Sequence, residues 1–333
     1  MGATTSPLCF VELDGDEIAD ASLRAVTFAR RLAPDVSLRA LLAKEPGTRA
    51  AEQLAAFGVA EARYLAVADV TGFAPLALAR ALEELSEATG DGDRALVVAA
   101  ATDHGNEVLA HLGARTGLEF VANCVDLRRL DDGDGFGVVR HRWGGSLLED
   151  ARLRAPGALF SVAPDAVAAA ACPDPGRISV APISPTLGEE ELLVHAVETR
   201  AQQGGVSLAS AKVVVSGGRG IGSAEGFAVL EELAGLLGGA VGVSRAVTSA
   251  GWRPHREQVG QTGTKVTPTL YLACGISGAI QHLAGCQGAT NMIAINTDPD
   301  APIMARADYA VIGDAQTILP ALAQALRERR SNP

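Results

Sequence analysis

A glycine-rich segment at 216–223 (SGGRGIGS) stands between an apolar run and a helical pattern. Backbone N–H groups in such a turn, together with a helix N-terminus, bind phosphate oxygens. Arg219 would add a charge-assisted hydrogen bond that a purely structural turn does not need. The segment departs from the GxGxxG fingerprint, because Ser223 stands at the third glycine and the next apolar run ends at Ser244-Arg245 without an acidic residue. It therefore predicts a phosphate site of another kind, with a plain glycine turn as the alternative.

A second segment, 258–263 (QVGQTG), combines two amide side chains, a hydroxyl and two glycines. Close backbone approach at the glycines and several donors and acceptors suit a planar ligand with hydrogen-bonding edges. The composition alone is more often that of an ordinary loop. The hypothesis of a ligand site therefore depends on which other segments lie beside this one.

A third segment, 275–285 (GISGAIQHLAG), follows an apolar run that ends at Cys274. A tight turn and then a helix place Gln281 and His282 near a helix N-terminus, which favours anionic groups. The alternative is a packing helix whose first turn carries a polar histidine. Spacing and ligand number argue against a metal site made of Cys274, His282 and Cys286. The segment also lacks the GxSxG pattern of serine hydrolases.

Two further apolar runs end at polar residues. Asn296 follows the first, within 295–303 (INTDPDAPI), and Gly313-Asp314 follows the second. Parallel sheets bind ligands beyond the carboxyl ends of their strands. All four segments lie at such an end or in a loop able to fold over one, so together they predict a single ligand site.

The elements that position these segments alternate between apolar β-runs and helical patterns. In the first part of the chain the predicted strands are 8–13, 37–43, 63–67, 95–101, 138–143 and 158–162, and the predicted helices are 21–32 and 73–88. In the second part the predicted strands are 212–215, one ending at 244, 269–273, 292–295 and 309–312, and the predicted helices are 224–237, one from 277, and 315–329. This rhythm predicts an α/β fold of parallel strands joined by right-handed crossovers. We expect two parallel-sheet, Rossmann-like domains, the second a three-layer nucleotide-binding fold.

The domain boundary is marked by composition. A proline-rich stretch at 173–185 and the polar run 202–205 are typical of a linker, and 131–135 (DDGDG) of a turn. The predicted domains are therefore 1–205 and 206–333.

The charge is unevenly distributed along the chain. The 333 residues carry a formal net charge of −11, made of −12 over 1–210 and +1 over 211–333. An acidic chain without basic blocks argues against nucleic acid as a partner. The neutral balance of the last third suits a small polyanionic ligand.

Compartment signals are few. The five cysteines form no CxxC pair, the N-terminus lacks a basic segment followed by a long apolar run, and no apolar run reaches membrane-spanning length. We expect reduced thiols, a cytoplasmic location and no membrane insertion.

Taken together, the quoted segments resemble the C-terminal domain of the electron-transfer flavoprotein alpha subunit. The runs SGGRGIGS, GVSRAV, QVGQTG, YLACGISGAIQHLAG, AINTDPDAPI and ADYAVIGD occur in the order and spacing of that family. The resemblance is strong over about 210–330 and weaker over 1–200, where it rests on FVELDGDEI and the strand-helix rhythm. GISGAIQHLAG together with VGQTG is highly specific.

The resemblance implies an electron carrier rather than an enzyme with its own substrate. The family binds FAD non-covalently on this domain and pairs with a beta subunit, which would hold AMP or a second FAD. It carries electrons from flavin dehydrogenases to a quinone oxidoreductase or similar acceptor. Residues 1–205 would then form the scaffold and partner-binding domain and 206–333 the FAD-binding domain. The residues alone leave open an NAD-type α/β oxidoreductase or a nucleotide-sensing module.

The resemblance also implies roles for individual residues. Arg219 and Ser244 would contact the phosphates and linker region of FAD, Arg245 the isoalloxazine face, Thr262 the flavin N5 and His282 the N1/O2 edge. A guanidinium or imidazolium there would stabilise negative charge on the reduced ring, so Arg245, Thr262 and His282 would tune the flavin. The remaining residues that would bind the cofactor are Val259, Gly260, Gln261, Ser277, Gly278, Ala279, Ile280, Gln281 and, at the ADP end, Asn296, Asp314 and Ala315.

Two positions depart from the family pattern. The lysine that usually follows VGQTG directly is Thr264 here, with Lys265 next, and the lysine common after AIN is Thr297. Two positive charges near the ligand are therefore missing or moved.

Overall fold

The computed structural model describes residues 6–68, 70, 72–88, 90, 94–130, 135–145, 147–164, 166–196 and 206–331. Apart from Gly144 and Gly145, the described residues up to 196 form one compact unit, and those from 206 onward form a second. Most of the predicted turn at 131–135 and the predicted linker run 202–205 lie outside the described residues.

The first unit alternates strands and helices. Its strands are β1 (Leu8–Val11), β2 (Leu13–Asp14), β3 (Glu17–Ile18), β4 (Leu38–Leu42), β5 (Val59–Leu65), β6 (Leu96–Ala100), β7 (Phe120–Arg129), β8 (Phe136–Arg142), β9 (Leu147–Leu153), β10 (Ala158–Val162) and β11 (Ser179–Ile183). Its helices are α1 (Asp20–Leu32), α2 (Thr48–Ala56), α3 (Pro75–Ala88), α4 (Asp103–Thr116) and α5 (Glu189–Leu193).

Nine of these strands form one sheet in the order β11-β5-β4-β1-β6-β10-β7-β8-β9. Pairing is parallel from β11 to β7, and β8 and β9 extend the sheet as an antiparallel hairpin. The central strands β1, β6 and β10 are buried along their whole length, as continuous apolar runs covered on both faces should be. The predicted α/β fold is confirmed. Strand β8 overlaps the predicted strand 138–143, but β9 and the antiparallel pairing were not predicted, because the charged residues in both strands leave no continuous apolar run.

Several elements of this unit escaped prediction, among them α2, α4, α5, β7, β9 and β11. Helix α4 is delimited by an N-cap at Thr102, whose hydroxyl accepts from Gly105 N at 2.9 Å, and by Gly117 with φ +73°. Helix α2 has no side-chain cap. Strand β11 lies inside the proline-rich stretch predicted as a linker, and it pairs in parallel with β5. Pro182 is tolerated there because β11 is an edge strand.

The second unit has a simpler layout. Its strands are β12 (Val213–Gly217), β13 (Ala240–Val243), β14 (Leu270–Cys274), β15 (Asn291–Asn296) and β16 (Tyr309–Ile312). Its helices are α6 (Ala228–Leu237), α7 (Arg245–Ser249), α8 (Ile280–Cys286), α9 (Pro302–Arg306) and α10 (Ala315–Ser331).

The strands of the second unit form a parallel sheet in the order β13-β12-β14-β15-β16. One apolar core contains Tyr271 and Ile303 and the other contains Phe227 and Leu319, so helices cover both faces of the sheet. The predicted three-layer arrangement is confirmed. Two details differ, since α7 lies between 244 and 269, where no helix was predicted, and the helix predicted from 277 begins at Ile280.

Among the described residues, no helix combines the length and the apolar character needed to cross a membrane.

A polar cluster lies where β1 and β6 end side by side. The Glu12 carboxylate accepts a hydrogen bond from the Thr102 hydroxyl and lies 3.2 Å from His104 Nδ1. The His104 ring stacks on Phe73 with the ring centroids 3.8 Å apart. The hydrogen bond to Glu12 raises the pKa of His104, although partial burial opposes it.

We predict that Glu12→Gln lowers the pKa of His104 toward its ordinary value. The amide oxygen of the new side chain can still accept the hydrogen bond from the Thr102 hydroxyl. A raised folded pKa gives stability that is full below the unfolded pKa of about 6.5 and is lost as pH rises through the folded pKa. The difference in the free energy of unfolding between wild type and E12Q should therefore shrink as pH rises from about 6.5 through the folded pKa of His104. NMR titration of His104 and urea unfolding across pH measure it. Glu107→Gln, a weaker neighbour of His104, is the control, and equal His104 titrations in wild type and E12Q would contradict the prediction.

Candidate functional site

A cavity of about 330 Å³ lies at the carboxyl edge of the second unit's sheet. Its lining comes from the start of α7, from the loop at 258–264 and from the turn that leads into α8. The predicted residues that line it are Ser244, Arg245, Val259, Gly260, Gln261, Thr262, Ser277, Gly278, Ala279, Gln281 and His282, and they are joined by Ala246, Ser249, Gln258 and Ile276. Of the four segments predicted to form one site, 258–263 and 275–285 therefore meet at the cavity, together with Ser244 and Arg245, whereas 216–223 and the ends of β15 and β16 contribute no lining residue.

The 258–264 loop is held against α8 by backbone contacts. Gln261 N donates to the Gln281 carbonyl at 2.7 Å. A Cβ atom on Gly285 would lie 2.3 Å from the backbone nitrogen of Gly260, so no side chain fits at that position. This close approach holds the 258–264 loop and α8 side by side as neighbouring walls of the cavity.

The glycine-rich turn at 216–223 packs on the neighbouring turn of the same edge. A Cβ atom on Gly218 would lie 2.2 Å from the Gly275 carbonyl oxygen. A 3-10 turn begins at Arg219, and α6 begins only at Ala228, later than the predicted start at 224. The glycines therefore serve close backbone packing, and the exposed Arg219 lies outside the cavity lining.

Ser244 and Arg245 stand at the start of α7. Ser244 N donates to the Gly217 carbonyl at 3.0 Å, which ties the turn after β13 to the end of β12. Arg245 is exposed and lines the cavity. It is the one residue with a permanent charge among the described lining residues.

His282 enters the cavity wall from α8 and is only 6% exposed. Its Nε2 lies 2.9 Å from the Tyr271 hydroxyl, and its Nδ1 is buried without a well-formed hydrogen bond among the described residues. Burial lowers the pKa of His282 to about 4, and the Val259 backbone opposes this only in part. The ring is therefore neutral at pH 7, and Arg245 rather than an imidazolium supplies the positive charge.

Tyr271 is fully buried behind His282. Burial raises the pKa of Tyr271 well above its ordinary value, so the phenol keeps its proton. When that proton is donated to His282 Nε2, the ring proton lies on Nδ1, the nitrogen without a well-formed hydrogen bond among the described residues.

Some predicted site residues do not line the cavity. They are Arg219, Ile280, Asn296, Asp314 and Ala315. Asn296 Nδ2 donates to the Ile276 carbonyl at 2.8 Å. The Asp314 carboxylate accepts from Gln316 N at 2.9 Å at the start of α10, where Ala315 is buried. Asn296 and Asp314 end β15 and follow β16, farther along the same sheet edge.

Sequence reasoning missed two buried polar side chains, Gln258 in the cavity lining and Tyr271 behind it. Gln258 belongs to the quoted QVGQTG segment but received no role, although it is only 2% exposed. Its Oε1 accepts from the Thr248 hydroxyl at 2.7 Å, and its Nε2 donates to Thr262 Oγ1 at 3.0 Å. Tyr271 stands in an otherwise apolar strand, and a buried phenol needs a partner, which is the signal that could have found it.

A parallel sheet with glycine turns in backbone contact and a cavity at its carboxyl edge defines a nucleotide-cofactor-binding α/β protein. Residues 207–287 match the electron transfer flavoprotein FAD-binding domain, and residues 8–186 match the electron transfer flavoprotein domain. The chain belongs to the electron transfer flavoprotein alpha-subunit family, and its second unit carries the FAD-binding domain.

Curated relatives agree with this assignment. The electron transfer flavoprotein subunit alpha of Mycobacterium tuberculosis (strain H37Rv) is 36% identical over 97% of this chain and 98% of its own length. That of Thermoanaerobacterium thermosaccharolyticum is 32% identical over 96% of this chain and 97% of its own length. That of Mycobacterium leprae is 39% identical over 71% of this chain and 72% of its own length. The family resemblance and the FAD cofactor predicted from the sequence are confirmed.

The residues present fit FAD. The cavity volume of about 330 Å³ lies at the lower end of the roughly 300–1,000 Å³ usual for ligand pockets, which leaves the rest of a long cofactor to follow the sheet edge. His282 Nδ1 is a buried polar atom that makes no well-formed hydrogen bond within the described residues, with only the Val259 backbone as a weak partner, and such atoms usually find a better one in a ligand or water. Arg245 provides a charge for an anionic cofactor.

We predict that His282→Gln removes part of the acid sensitivity of folding. The folded pKa of about 4 lies below the unfolded value of 6.5, so the unfolded chain binds a proton first and stability falls as pH drops from about 6.5 to about 4. The largest possible effect is about 3 kcal/mol. Urea unfolding at pH 7 and pH 4.5 measures it, with the exposed His255→Gln as control. Equal acid sensitivity of wild type and H282Q would refute the prediction.

We predict that Gly285→Ala destabilises the second unit by about 1–3 kcal/mol, because the new Cβ forces the 258–264 loop away from α8. The matched control is Gly235→Ala in α6, where a Cβ meets nothing within 4 Å. The control should stabilise the unit by about 0.5–1 kcal/mol through helix propensity. Urea unfolding of both variants gives the sign of each change in the free energy of unfolding. A G285A variant as stable as wild type or more stable would show that the unit tolerates a side chain at this contact, against the prediction.

Proposed function

We propose that this chain is the alpha subunit of a heterodimeric electron-transfer flavoprotein that holds FAD in the cavity and along the adjoining sheet edge. With a beta subunit as its partner, it carries electrons from flavin dehydrogenases to a quinone oxidoreductase or a similar acceptor. The observation that carries the proposal is the FAD-binding-domain match at 207–287, on the unit that contains the cavity. The relatives named subunit alpha support a partner subunit.

In this proposal the cavity holds the flavin ring and the adjoining sheet edge holds the rest of the cofactor. Arg245 lies against the ring, and residues 259–262 border the ring edge with the Thr262 hydroxyl at N5. Residues 277–282 follow the ribityl chain and the diphosphate, and His282 faces the N1/O2 edge. The remaining contacts are assigned to Ser244 at the linker and, outside the cavity, to Arg219, Ile280, Asn296, Asp314 and Ala315 toward the phosphates and the ADP end.

The charges suit a carrier rather than an enzyme with its own substrate. FAD supplies the redox chemistry, and the protein has to bind, orient and tune it. Arg245 contributes the permanent positive charge of the lining, whereas His282 is neutral and contributes a hydrogen-bond donor. A negative charge that develops on the ring is stabilised by both, and most strongly by the guanidinium.

Cofactor identification tests the function. The chain co-expressed with its beta subunit should purify as a yellow heterodimer whose flavin spectrum and extracted cofactor are those of FAD. Extraction and mass spectrometry also show whether the partner holds AMP or a second FAD. An assembled heterodimer that stays colourless and takes up NAD but not added FAD would support the alternative NAD-type oxidoreductase.

We predict that Arg245→Ala lowers the flavin reduction potential by roughly 50 mV, because the reduced ring loses a neighbouring positive charge and 59 mV per electron corresponds to about 1.4 kcal/mol. Arg245→Lys should fall between wild type and R245A. Potentiometric titration of the heterodimer measures the shift, and the exposed Arg256→Ala, outside the lining, is the control. Potentials that agree in wild type and R245A would remove Arg245 from the tuning role.

A further inference from the structure

A chain of three polar side chains runs from behind the cavity into its wall. The Thr248 hydroxyl lies 2.7 Å from Gln258 Oε1, and Gln258 Nε2 lies 3.0 Å from Thr262 Oγ1. Gln258 and Thr262 line the cavity, whereas Thr248 does not. The middle member, Gln258, is buried, so its amide depends on these two partners.

The orientation of the Gln258 amide decides what Thr262 can offer to a ligand. A threonine hydroxyl has one hydrogen to donate and lone pairs to accept with. When Gln258 Nε2 donates to Thr262 Oγ1, the Thr262 hydrogen stays free to donate into the cavity. If the amide were reversed, Gln258 Oε1 would take that hydrogen, and Thr262 would face the cavity only as an acceptor.

The distances favour the first orientation. A separation of 2.7 Å is typical of O–H···O and short for N–H···O, whereas 3.0 Å is typical of N–H···O. Thr248 has a second acceptor within reach, the Arg245 carbonyl at 3.0 Å, but the shorter contact is to Gln258. Thr248 therefore holds the oxygen end of the amide, and the NH₂ end is left for Thr262.

The backbone keeps Gln258 in place for this task. Gln258 N donates to the His255 carbonyl at 2.9 Å, and Thr264 N donates to the Gln258 carbonyl at 2.7 Å. A Cβ atom on Gly263 would lie 2.3 Å from the Gln258 carbonyl oxygen, so the loop closes tightly around this residue. With its backbone fixed on both sides, the side chain can change its hydrogen bonding mainly by an amide half-turn.

We propose that Gln258, oriented by Thr248, is a positioning residue that presents the Thr262 hydroxyl to the cofactor as a hydrogen-bond donor. The proposal rests on the proposed function, in which Thr262 lies at the flavin N5, an acceptor in the oxidised ring. Oxidised FAD is therefore the ligand state that this arrangement is built to hold.

The amide orientation can be read without any cofactor. In protein labelled at glutamine, nuclear Overhauser contacts from the Gln258 carboxamide hydrogens should reach the Thr262 methyl group rather than the Thr248 methyl group. Thr248→Val should spread these contacts over both sides, because the hydroxyl that holds the amide oxygen is gone. Thr248→Ser keeps a hydroxyl and should preserve the wild-type pattern. Contacts to the Thr248 methyl group alone in the wild type would overturn the proposal.

A double-mutant cycle on the FAD-loaded heterodimer tests the consequence for binding. Thr262→Val should weaken oxidised FAD about fivefold in the wild-type background, the usual effect of one lost hydrogen bond. In the Gln258→Glu background, an ionised carboxylate accepts from both threonines, so T262V should cost less than about twofold. The added charge is present in both arms of that comparison and cancels.

The outcomes separate the two proposals. If FAD binds and T262V costs the same in both backgrounds, the role of Gln258 is refuted and the proposed function stands. If the heterodimer takes up no FAD, the proposed function fails, and the carboxamide contacts still decide the amide orientation. Should Q258E fail to fold, the T248V and T248S variants provide the test. Loss of the one-sided carboxamide contacts in T248V but not in T248S supports the proposal. Unchanged contacts in T248V refute it.

Discussion

The candidate site depends on a contact between two pieces of backbone. Gly260 and Gly285 approach so closely that a single Cβ would lie 2.3 Å from the opposite backbone nitrogen. This contact, with the hydrogen bond from Gln261 N to the Gln281 carbonyl, fixes the 258–264 loop on α8. Without it, the hydroxyl of Thr262 and the imidazole of His282 would belong to separate surfaces. The glycines of the two specific segments are therefore needed for the approach that makes a cavity, as well as for any approach of a ligand.

Burial then determines which side chains can hold charge. His282 lies deep in the wall, and desolvation lowers its pKa to about 4, so the imidazole is neutral at pH 7. Arg245 stands at the exposed start of α7 and stays charged. The lining thus combines one positive charge with neutral donors and acceptors, which agrees with the net charge of +1 over 211–333 against −12 over 1–210.

Much of the fold was predictable because parallel strands buried on both faces leave continuous apolar runs, as β1, β6 and β10 do. The hairpin of β8 and β9 and the edge strand β11 lack that signal. The sequence could also predict that the polar segments lie at one edge of the sheet. It could not predict which of these segments line the cavity, because that depends on the order of the strands in the sheet. Asn296 ends β15 and Asp314 follows β16, both on the far side of β14 from Ser244, and neighbouring strands are about 4.8 Å apart.

The polar groups in the wall and directly behind it show how far the site is organised by the protein alone. Gln258 uses both ends of its amide, on Thr248 and Thr262, and Tyr271 occupies His282 Nε2. His282 Nδ1 is left over, buried and without a well-formed partner in the described chain. A buried polar atom in that condition costs about 1–3 kcal/mol. Thr262 Oγ1 and His282 Nδ1 are therefore held in place through Gln258 and Tyr271, and a ligand that accepts a hydrogen bond from His282 Nδ1 would recover this cost.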